Sequence, residues 1–315
     1  MHLQTEQRPS PKTRRSVPPL NMKMSIEMTP TAKHHTIAVN GIRMHVAEAG
    51  AGAPVVLLHG YPETWYAWRK QWPELAQHYH VIMPDLRGYG DTDKPDIGYD
   101  KRTMAEDVRQ AAAHFGYERI ALVGHDRGAR VATRFAKDHR DMVDRLAVLD
   151  NIPTRVVFNA TDAKLAKLYW FFYFQQVPHL PEALIRGREE IFVRHFYSTW
   201  CYNPSAIEEA AVAEYVRAYS QPGALRGAFN DYRAGPIDLK QDIEDEDNLI
   251  DCPVLAIWGS DFELVGKEFD VLEVWKGLAR NVRGVAIPEC GHLPQEEQPE
   301  RVNRELREFL RGWGG

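Results

Sequence analysis

The chain has 315 residues, of which 44% are hydrophobic and 26% are charged, and its formal net charge is −5. This length allows a large buried core, and the composition is ordinary for a soluble globular protein. The negative charge argues against non-specific binding of nucleic acid, because no general positive field attracts phosphate groups. No apolar run is long enough to cross a bilayer, so a membrane protein is not predicted.

Residues 1–33 differ from the rest of the chain, because they are rich in Pro, Thr, Lys and Arg and show no apolar period. A secretory signal would need a continuous apolar segment, which this stretch lacks. We therefore predict a disordered leader, or a stretch that precedes a later start codon.

The three cysteines, Cys201, Cys252 and Cys290, are far apart and form no CxxC pair. Neither a disulfide framework nor a zinc site is indicated by this spacing. A reducing compartment, and so a cytoplasmic location, fits such cysteines best.

A β-hairpin is the first predicted element, since Thr36–Asn40 and Arg43–Glu48 alternate around the turn pair Asn40-Gly41. Short and almost wholly apolar runs follow, which are typical of strands buried on both faces of a parallel sheet. These runs are Val55–Leu58, Val81–Met83, Ile120–Val123, Leu146–Leu149, Val254–Trp258 and Val285–Ile287.

Helical periods lie between or after these strands, at Arg102–Phe115, Ala129–His139 and Glu297–Trp313. The alternation predicts an α/β fold in which helices cover both faces of a mostly parallel sheet. The interval 155–235 lacks a strand signal and is rich in aromatic residues. We predict that it forms a helical cap, inserted between core segments 34–154 and 236–315, over the carboxyl edge of the sheet.

The strongest motif is Gly124-His125-Asp126-Arg127-Gly128, which stands between a buried strand and a helix. This is the context of a nucleophile elbow, in which glycines permit a tight turn that presents the central side chain. Here that side chain is the carboxylate of Asp126. A carboxylate that attacks a saturated carbon becomes an alkyl ester, which water must then hydrolyse.

The remaining groups for such a reaction follow other strands. His292 comes just after the last strand and is the candidate base that activates water. Asp150 ends the strand after the nucleophile helix, and Asp261 follows the next strand, so either carboxylate is a candidate to orient the histidine. The backbone N–H groups of Tyr61 and Arg127 are candidates for an oxyanion hole.

Taken together, these motifs resemble the α/β-hydrolase superfamily, in the branch of epoxide hydrolases and haloacetate (fluoroacetate) dehalogenases. The segments similar to epoxide hydrolases are His59–Glu63 and Arg87–Asp91. Those similar to the dehalogenases are Gly124–Arg130, Leu146–Asp150, Asp231–Gly235 and Asp270–Trp275. The resemblance implies the α/β-hydrolase fold, Asp150 rather than Asp261 as the acid, and a homodimer. No metal or organic cofactor is implied, because the reacting groups are all protein groups.

Two arginines favour a halogenated acid as the substrate. Arg127 and Arg130 are three residues apart at the start of a helix, so both project on one face. They are expected to bind a substrate carboxylate through charge-assisted hydrogen bonds and to present its α-carbon to Asp126. The dehalogenases that the chain resembles use matching arginines in this way. The alternative is that Arg130 is a solvated helix residue.

The leaving group needs hydrogen-bond donors, and Tyr232 matches the tyrosine that both families place in the last cap helix. In the first cap helix the corresponding residues are Trp170 and Phe171, or Phe171 and Phe172 after a shift of one position. The dehalogenase histidine is therefore missing, as is one epoxide-activating tyrosine, for which Tyr169 and Tyr173 are possible substitutes.

Three hypotheses follow for the function, and each concerns a small-molecule ligand. The first is hydrolytic dehalogenation of short 2-halo carboxylic acids through an Asp126 ester. The second is an epoxide hydrolase with the same ester chemistry. The third is a non-catalytic binding protein that retains the fold, because fold alone does not establish chemistry.

Overall fold

The computed structural model describes residues 31–315. Most of the predicted leader, 1–33, therefore lies outside the described residues, and Lys33 already belongs to the first strand. Within the described part of the chain, no helix combines the length and the apolar character needed to cross a membrane.

An eight-stranded sheet forms the centre of the molecule, with the spatial order β1-β2-β4-β3-β5-β6-β7-β8. The first two strands are antiparallel to each other, β2 is antiparallel to β4, and the remaining pairs are parallel. The strands are β1 Lys33–Val39, β2 Ile42–Ala49, β3 Pro54–Leu58, β4 His80–Pro84, β5 Ile120–His125, β6 Val143–Leu149, β7 Val254–Gly259 and β8 Val282–Ile287.

The helices of the core lie on both faces of this sheet, as predicted. They are α1 Trp72–Leu75, α2 Lys101–His114, α3 Asp126–Asp138, α12 Val271–Lys276, α13 Pro294–Glu297 and α14 Pro299–Leu310. Short 3₁₀ turns occupy Trp65–Trp68 and Arg140–Met142. The predicted α/β-hydrolase fold, with its mostly parallel sheet, is confirmed.

Eight further helices lie between β6 and β7. They are α4 Thr154–Ala160, α5 Ala163–Leu168, α6 Trp170–Gln176, α7 Leu180–Ile185, α8 Glu189–Trp200, α9 Glu209–Tyr219, α10 Ala224–Arg233 and α11 Gly235–Glu244, with a 3₁₀ turn at Pro204–Ala206. Aromatic rings fill the interior of this helical insertion, and the ring centroids of Phe196 and Trp200 are 4.4 Å apart. Its last helix, α11, extends well past residue 235, where the sequence predicted the core to resume.

The turn from β5 into α3 is too tight for ordinary side chains. Asp126 has a φ of +44°, in the left-handed region, and α3 begins at this residue. A Cβ at Gly124 would lie 2.6 Å from the Cα of Ala129, and a Cβ at Gly128 would lie 2.3 Å from the carbonyl oxygen of Leu58. Only glycine fits both positions, so these glycines fix how the strand delivers Asp126 to the carboxyl edge of the sheet.

We expect Gly128→Ala to lower the free energy of unfolding by at least about 1–3 kcal/mol, because the added methyl group must displace the backbone of β3. Urea unfolding of the purified variant measures this. Gly235→Ala is the matched control, since its Cβ would meet only ring atoms at 3.6 Å, an ordinary contact. Equal losses in the two variants would contradict this account of the elbow.

Candidate active site

Three predicted residues meet at the carboxyl edge of the sheet: Asp126, Asp150 and His292. Nδ1 of His292 lies 2.6 Å from Oδ2 of Asp150, while Oδ1 of Asp150 accepts a 3.0 Å hydrogen bond from the N–H of Gly259. Nε2 of His292 lies 3.9 Å from Oδ2 of Asp126, which is too long for a direct hydrogen bond. The histidine therefore has one ring nitrogen held by Asp150 and the other facing the carboxylate of Asp126.

Asp261, the alternative acid, takes no part in this cluster. Its Oδ2 accepts hydrogen bonds from the N–H of Glu289 at 2.9 Å and from the hydroxyl of Ser260 at 3.3 Å. These contacts tie two neighbouring loops together. The geometry therefore joins His292 to Asp150 and leaves Asp261 a structural role in the loop.

Asp126 is held by the loops that follow β3 and β6. The N–H of Tyr61 donates a 3.0 Å hydrogen bond to Oδ2. The side-chain amide of Asn151 donates a 3.0 Å hydrogen bond to the backbone oxygen of Asp126. Within residues 31–315 no hydrogen bond joins the backbone N–H of Arg127 to this carboxylate, so only one of the two expected oxyanion donors contacts it.

Charge and burial set opposite pKa shifts on the two reacting groups. Burial alone would raise the pKa of Asp126, but the charges of His292, His125 and Arg127 outweigh it and hold that pKa well below its usual range. Burial alone would lower the pKa of His292, but Asp126 and Asp150 raise it to about 10. At neutral pH the resting site therefore pairs an imidazolium with two carboxylates.

A buried polar network supports both the nucleophile turn and the histidine loop. Nδ1 of His125 lies 2.8 Å from Oε2 of Glu63, and its Nε2 lies 2.8 Å from the backbone oxygen of His292. Gln295 donates a 2.9 Å hydrogen bond to the other oxygen of Glu63. His125 thus links the end of β5, just before Asp126, directly to the loop that carries His292.

A small cavity of about 30 Å³ adjoins the reacting groups. We call it the catalytic cavity. It is lined by Asp126, Arg130, Asp150, Asn151, Ile152, Tyr169, Phe171, Trp200, Phe262, Leu264, Val265 and His292. Its wall is mostly apolar and aromatic, and the guanidinium of Arg130 is among the charged groups that line it.

The two predicted carboxylate-binding arginines have different partners. Arg127 donates from Nε to Oδ2 of Asp231 at 2.9 Å and from Nη2 to its Oδ1 at 2.7 Å and its backbone oxygen at 2.8 Å. Arg130 is only 8% exposed, yet no carboxylate lies within 4.0 Å of its guanidinium in the described part of the chain. Of the two arginines predicted to bind a substrate carboxylate, Arg127 is therefore already paired with Asp231, and Arg130 is not paired with a carboxylate in the described chain.

Arg130 has a single hydrogen-bond partner among residues 31–315. Its Nη1 donates to the hydroxyl of Thr154 at 2.8 Å, and its Nε is buried without a partner. Burial and the nearby charge of Arg127 lower the pKa of Arg130, although the Asp126 charge partly opposes them. The reading of Arg130 as a solvated helix residue is therefore wrong.

The predicted cap residues are placed unequally. Trp170 is 41% exposed, stacks on Phe196 and is not among the residues that line the catalytic cavity. Phe171, the next residue, lines the cavity. Tyr232 is buried against Tyr61, with ring centroids 5.2 Å apart, and its hydroxyl has no hydrogen-bond partner in the described chain. Burial and the nearby charge of Asp126 raise the pKa of Tyr232.

Sequence reasoning missed several residues of this site. Asn151, which follows Asp150 directly, lines the cavity and holds the nucleophile turn. Trp200, Phe262, Leu264 and Val265 also line it, and no periodic signal distinguishes them from core residues. Tyr169 lines the cavity as well, whereas Tyr173 is 38% exposed and bonds to Thr161 at 3.2 Å.

Comparison with known proteins agrees with this geometry. Residues 53–299 match the family model for the alpha/beta hydrolase fold. The chain belongs to the α/β-hydrolase family. It is 41% identical to a soluble epoxide hydrolase from Corynebacterium sp. (strain C12) over 285 residues, which cover 89% of this chain and 96% of the relative.

A second relative has the other predicted activity. The chain is 36% identical to a fluoroacetate dehalogenase from Burkholderia sp over 282 residues, covering 87% of this chain and 92% of the relative. The solved structure of the epoxide hydrolase CorEH without ligand superposes with a TM-score of 0.83 at 38% identity, covering 89% and 99% of the two chains. The predicted branch is confirmed, and the chain is a hydrolase, not a binding protein that merely retains the fold.

In this α/β hydrolase the pKa of His292 is the most direct test of the charge arrangement. We expect NMR titration to find it near 10 in the wild type. It should fall in Asp126→Asn and in Asp150→Asn, because each variant removes one neighbouring negative charge. Asp261→Asn is the matched control and should leave the value unchanged.

The raised pKa of His292 also makes the free energy of unfolding depend on pH. Because the folded pKa of His292 lies above the ordinary histidine pKa of 6.5, its contribution to the free energy of unfolding is complete below about pH 6.5 and disappears as pH rises through about 10. The free energy of unfolding should therefore decrease across that interval by more in the wild type than in Asp150→Asn. Identical pH profiles would contradict the assigned charge state.

Proposed function

We propose that this hydrolase removes halide from short 2-halo carboxylic acids through a covalent ester with Asp126. The observation that carries the proposal is Arg130, a buried guanidinium on the wall of the catalytic cavity without a carboxylate partner in the described chain. A buried charge is costly unless it is compensated, and a substrate carboxylate would supply the missing negative charge. A neutral epoxide would not.

The size of the cavity also supports a short substrate. About 30 Å³ is available beside Asp126, whereas pockets for drug-sized ligands enclose about 300–1,000 Å³. Phe171, Trp200 and Phe262 surround this space and restrict it further. A two- or three-carbon acid is therefore favoured over a bulky epoxide.

In the first step, an oxygen of Asp126 attacks the α-carbon while Arg130 holds the substrate carboxylate. The new C–O bond forms as the carbon–halogen bond breaks, and the halide leaves with the bonding electrons. The charges of His292, His125 and Arg127 outweigh the effect of burial and keep Asp126 ionised, which this attack requires. Hydroxyls of Tyr169 and Tyr232 and the indole of Trp200 are the candidate donors to the departing halide.

In the second step, water attacks the carbonyl carbon of the ester. Forming the ester removes the negative charge of Asp126, and this loss lowers the pKa of His292. The imidazolium then releases its proton to solvent, and the neutral imidazole can accept a proton from water. Asp150 holds the ring through Nδ1, and the N–H of Tyr61 stabilises the tetrahedral oxyanion. Collapse of this intermediate releases the 2-hydroxy acid and regenerates the carboxylate of Asp126.

We expect the purified protein to release halide from chloroacetate and bromoacetate, and more slowly from fluoroacetate, because Phe171 provides no hydrogen-bond donor. Asp126→Asn should abolish release, since the amide is a poor nucleophile. His292→Ala should accumulate the alkyl ester, visible by mass spectrometry as one added carboxymethyl group. Asp261→Asn is the control and should turn over normally. A folded wild-type protein that releases no halide from any of these acids would contradict the proposal.

Arg130→Met should raise KM for chloroacetate by about 10- to 100-fold, the value of a charge-assisted hydrogen bond of about 1.5–3 kcal/mol. Chloroacetamide is the matched neutral substrate, and its hydrolysis should change far less. Steady-state kinetics with both substrates measures the difference, and thermal melting verifies that the variant is folded. A similar change for both substrates would mean that Arg130 does not bind the carboxylate.

Epoxide hydrolysis is the second candidate function, and one observation favours it. Tyr169 lines the catalytic cavity, and Tyr232 lies near enough to Asp126 for its charge to raise the tyrosine pKa. Two tyrosines near a carboxylate nucleophile can donate protons to an epoxide oxygen. Diol formation from a small epoxide, without halide release from the acids, would select this function.

A further inference from the structure

We propose that a second, polar cavity behind Arg130 stores the water that hydrolyses the Asp126 ester. The polar cavity is lined by charged and polar side chains, including Arg130, Thr133, Arg134, Asn151, Asp238 and Gln241. All six are at least nine-tenths buried. The inference deepens the proposed function, because it concerns the second step of that reaction.

Five buried polar atoms of the polar cavity lack a hydrogen-bond partner. Two of them are donors, and three are acceptors. They are Nε of Arg130, Nε of Arg134, Oδ1 of Asn151, Oδ2 of Asp238 and Oε1 of Gln241. Buried polar atoms are nearly always paired in folded proteins, so a concentration of unpaired atoms around one cavity indicates an occupant that bonds to them.

The mixture of donors and acceptors identifies the occupant as water. A halide would gain from the two arginines but would be repelled by the three unpaired oxygens, and a cation would meet the reverse problem. Water donates and accepts, so it can satisfy both kinds of atom. The cavity measures about 20 Å³, enough for one or two water molecules at about 10–15 Å³ each.

Two other cationic side chains around the polar cavity, Arg134 and Lys101, are already paired with carboxylates, which disfavours a bound anion. Arg134 pairs with Asp138 at 3.0 Å and with Asp245. Lys137 donates to the backbone oxygen of Asp245 at 2.9 Å. Lys101 pairs with Asp231 and lies 3.5 Å from Oδ2 of Asp238.

Arg130 and Asn151 line both the polar cavity and the catalytic cavity. Asn151 also donates to the backbone oxygen of Asp126, so it connects the stored water to the residue that becomes the ester. The catalytic cavity, at about 30 Å³, has little room for water once the substrate occupies it. Two side chains, Arg130 and Asn151, therefore connect water held in the polar cavity to the cavity in which the ester forms.

The step balances with one stored water per turnover. The water oxygen bonds to the carbonyl carbon of the Asp126 ester, and one water proton passes to Nε2 of His292. The bond from that carbon to the alkyl oxygen then breaks, and the leaving alkoxide takes the proton from His292. The second water proton, left on the carboxyl group of Asp126, passes to His292 and restores the carboxylate and the imidazolium. Solvent refills the polar cavity before the next turnover.

Gln241→Met tests this role, because it removes the unpaired oxygen Oε1 while nearly preserving the side-chain volume. We expect ester hydrolysis to slow by about tenfold, the effect of about one hydrogen bond, with the rate of the first halide release unchanged. Rapid-quench kinetics with chloroacetate should then show a halide burst that approaches one per active site. Lys240→Met, at an exposed position of the same helix, is the matched control.

A burst in Gln241→Met identical to that of the wild type would overturn the inference. Gln241 also donates a 2.9 Å hydrogen bond to Asp100, so this variant is checked for folding. Should it not fold, Thr133→Val, which removes a hydroxyl from the same cavity at constant shape, carries the same expectation.

A crystal structure of the wild-type protein provides the second measurement. We expect ordered water within hydrogen-bond distance of Nε of Arg130 and Nε of Arg134. Empty density, or an anomalous peak in crystals grown with bromide, would overturn the inference. If the wild type releases no halide, the proposed function is contradicted. The electron density in the polar cavity then shows by itself whether that cavity holds water.

Discussion

The carboxylate of Asp126 must remain ionised at the bottom of a small, mostly apolar cavity, and the rest of the site depends on how that charge is compensated. Burying a lone carboxylate would raise its pKa and neutralise it. Here His292, the charge of Arg127 and the N–H of Tyr61 act together to keep the carboxylate charged. Each of these groups comes from a different strand end, so the sheet edge itself assembles the compensation.

This compensation changes during the proposed reaction. In the resting site His292 is an imidazolium between two carboxylates, which is the wrong protonation state for a base. Formation of the ester removes one carboxylate charge, and the pKa of His292 then falls. One group can therefore stabilise the nucleophile first and serve as the base afterwards. A substrate carboxylate would bring a further negative charge into the catalytic cavity, and the guanidinium of Arg130 would compensate it.

Much of this arrangement could be predicted from the sequence, because it depends on chain order. A buried apolar run followed by Gly-x-Asp-x-Gly predicts a strand and a tight turn that presents the aspartate at its end. Parallel strands bring their carboxyl ends together at one edge of the sheet. Asp126, Asp150 and His292 each follow such a run. Their meeting therefore needs only the topology, which a pattern of short strands and helices largely specifies.

The helical insertion could not be predicted to the same depth. Neighbouring residues on a helix point about 100° apart, so a small error in rotation exchanges an exposed residue for a buried one. Trp170 faces solvent while Phe171 lines the cavity, and both are equally apolar in the sequence. The pairing of Arg127 with Asp231 joins residues 104 positions apart, and no local pattern encodes it.

The pairing of Arg127 with Asp231 also affects how the protein unfolds. Asp231 belongs to helix α10 of the insertion, and it bonds to Arg127 and to Lys101, which open α3 and α2 of the core. Tyr89 donates a further 2.7 Å hydrogen bond to the same carboxylate. Lifting the insertion from the sheet would leave two cations and an anion without their partners, a large local cost. The helical insertion and the α/β core should therefore unfold as one cooperative unit, although the insertion is a separate segment between β6 and β7.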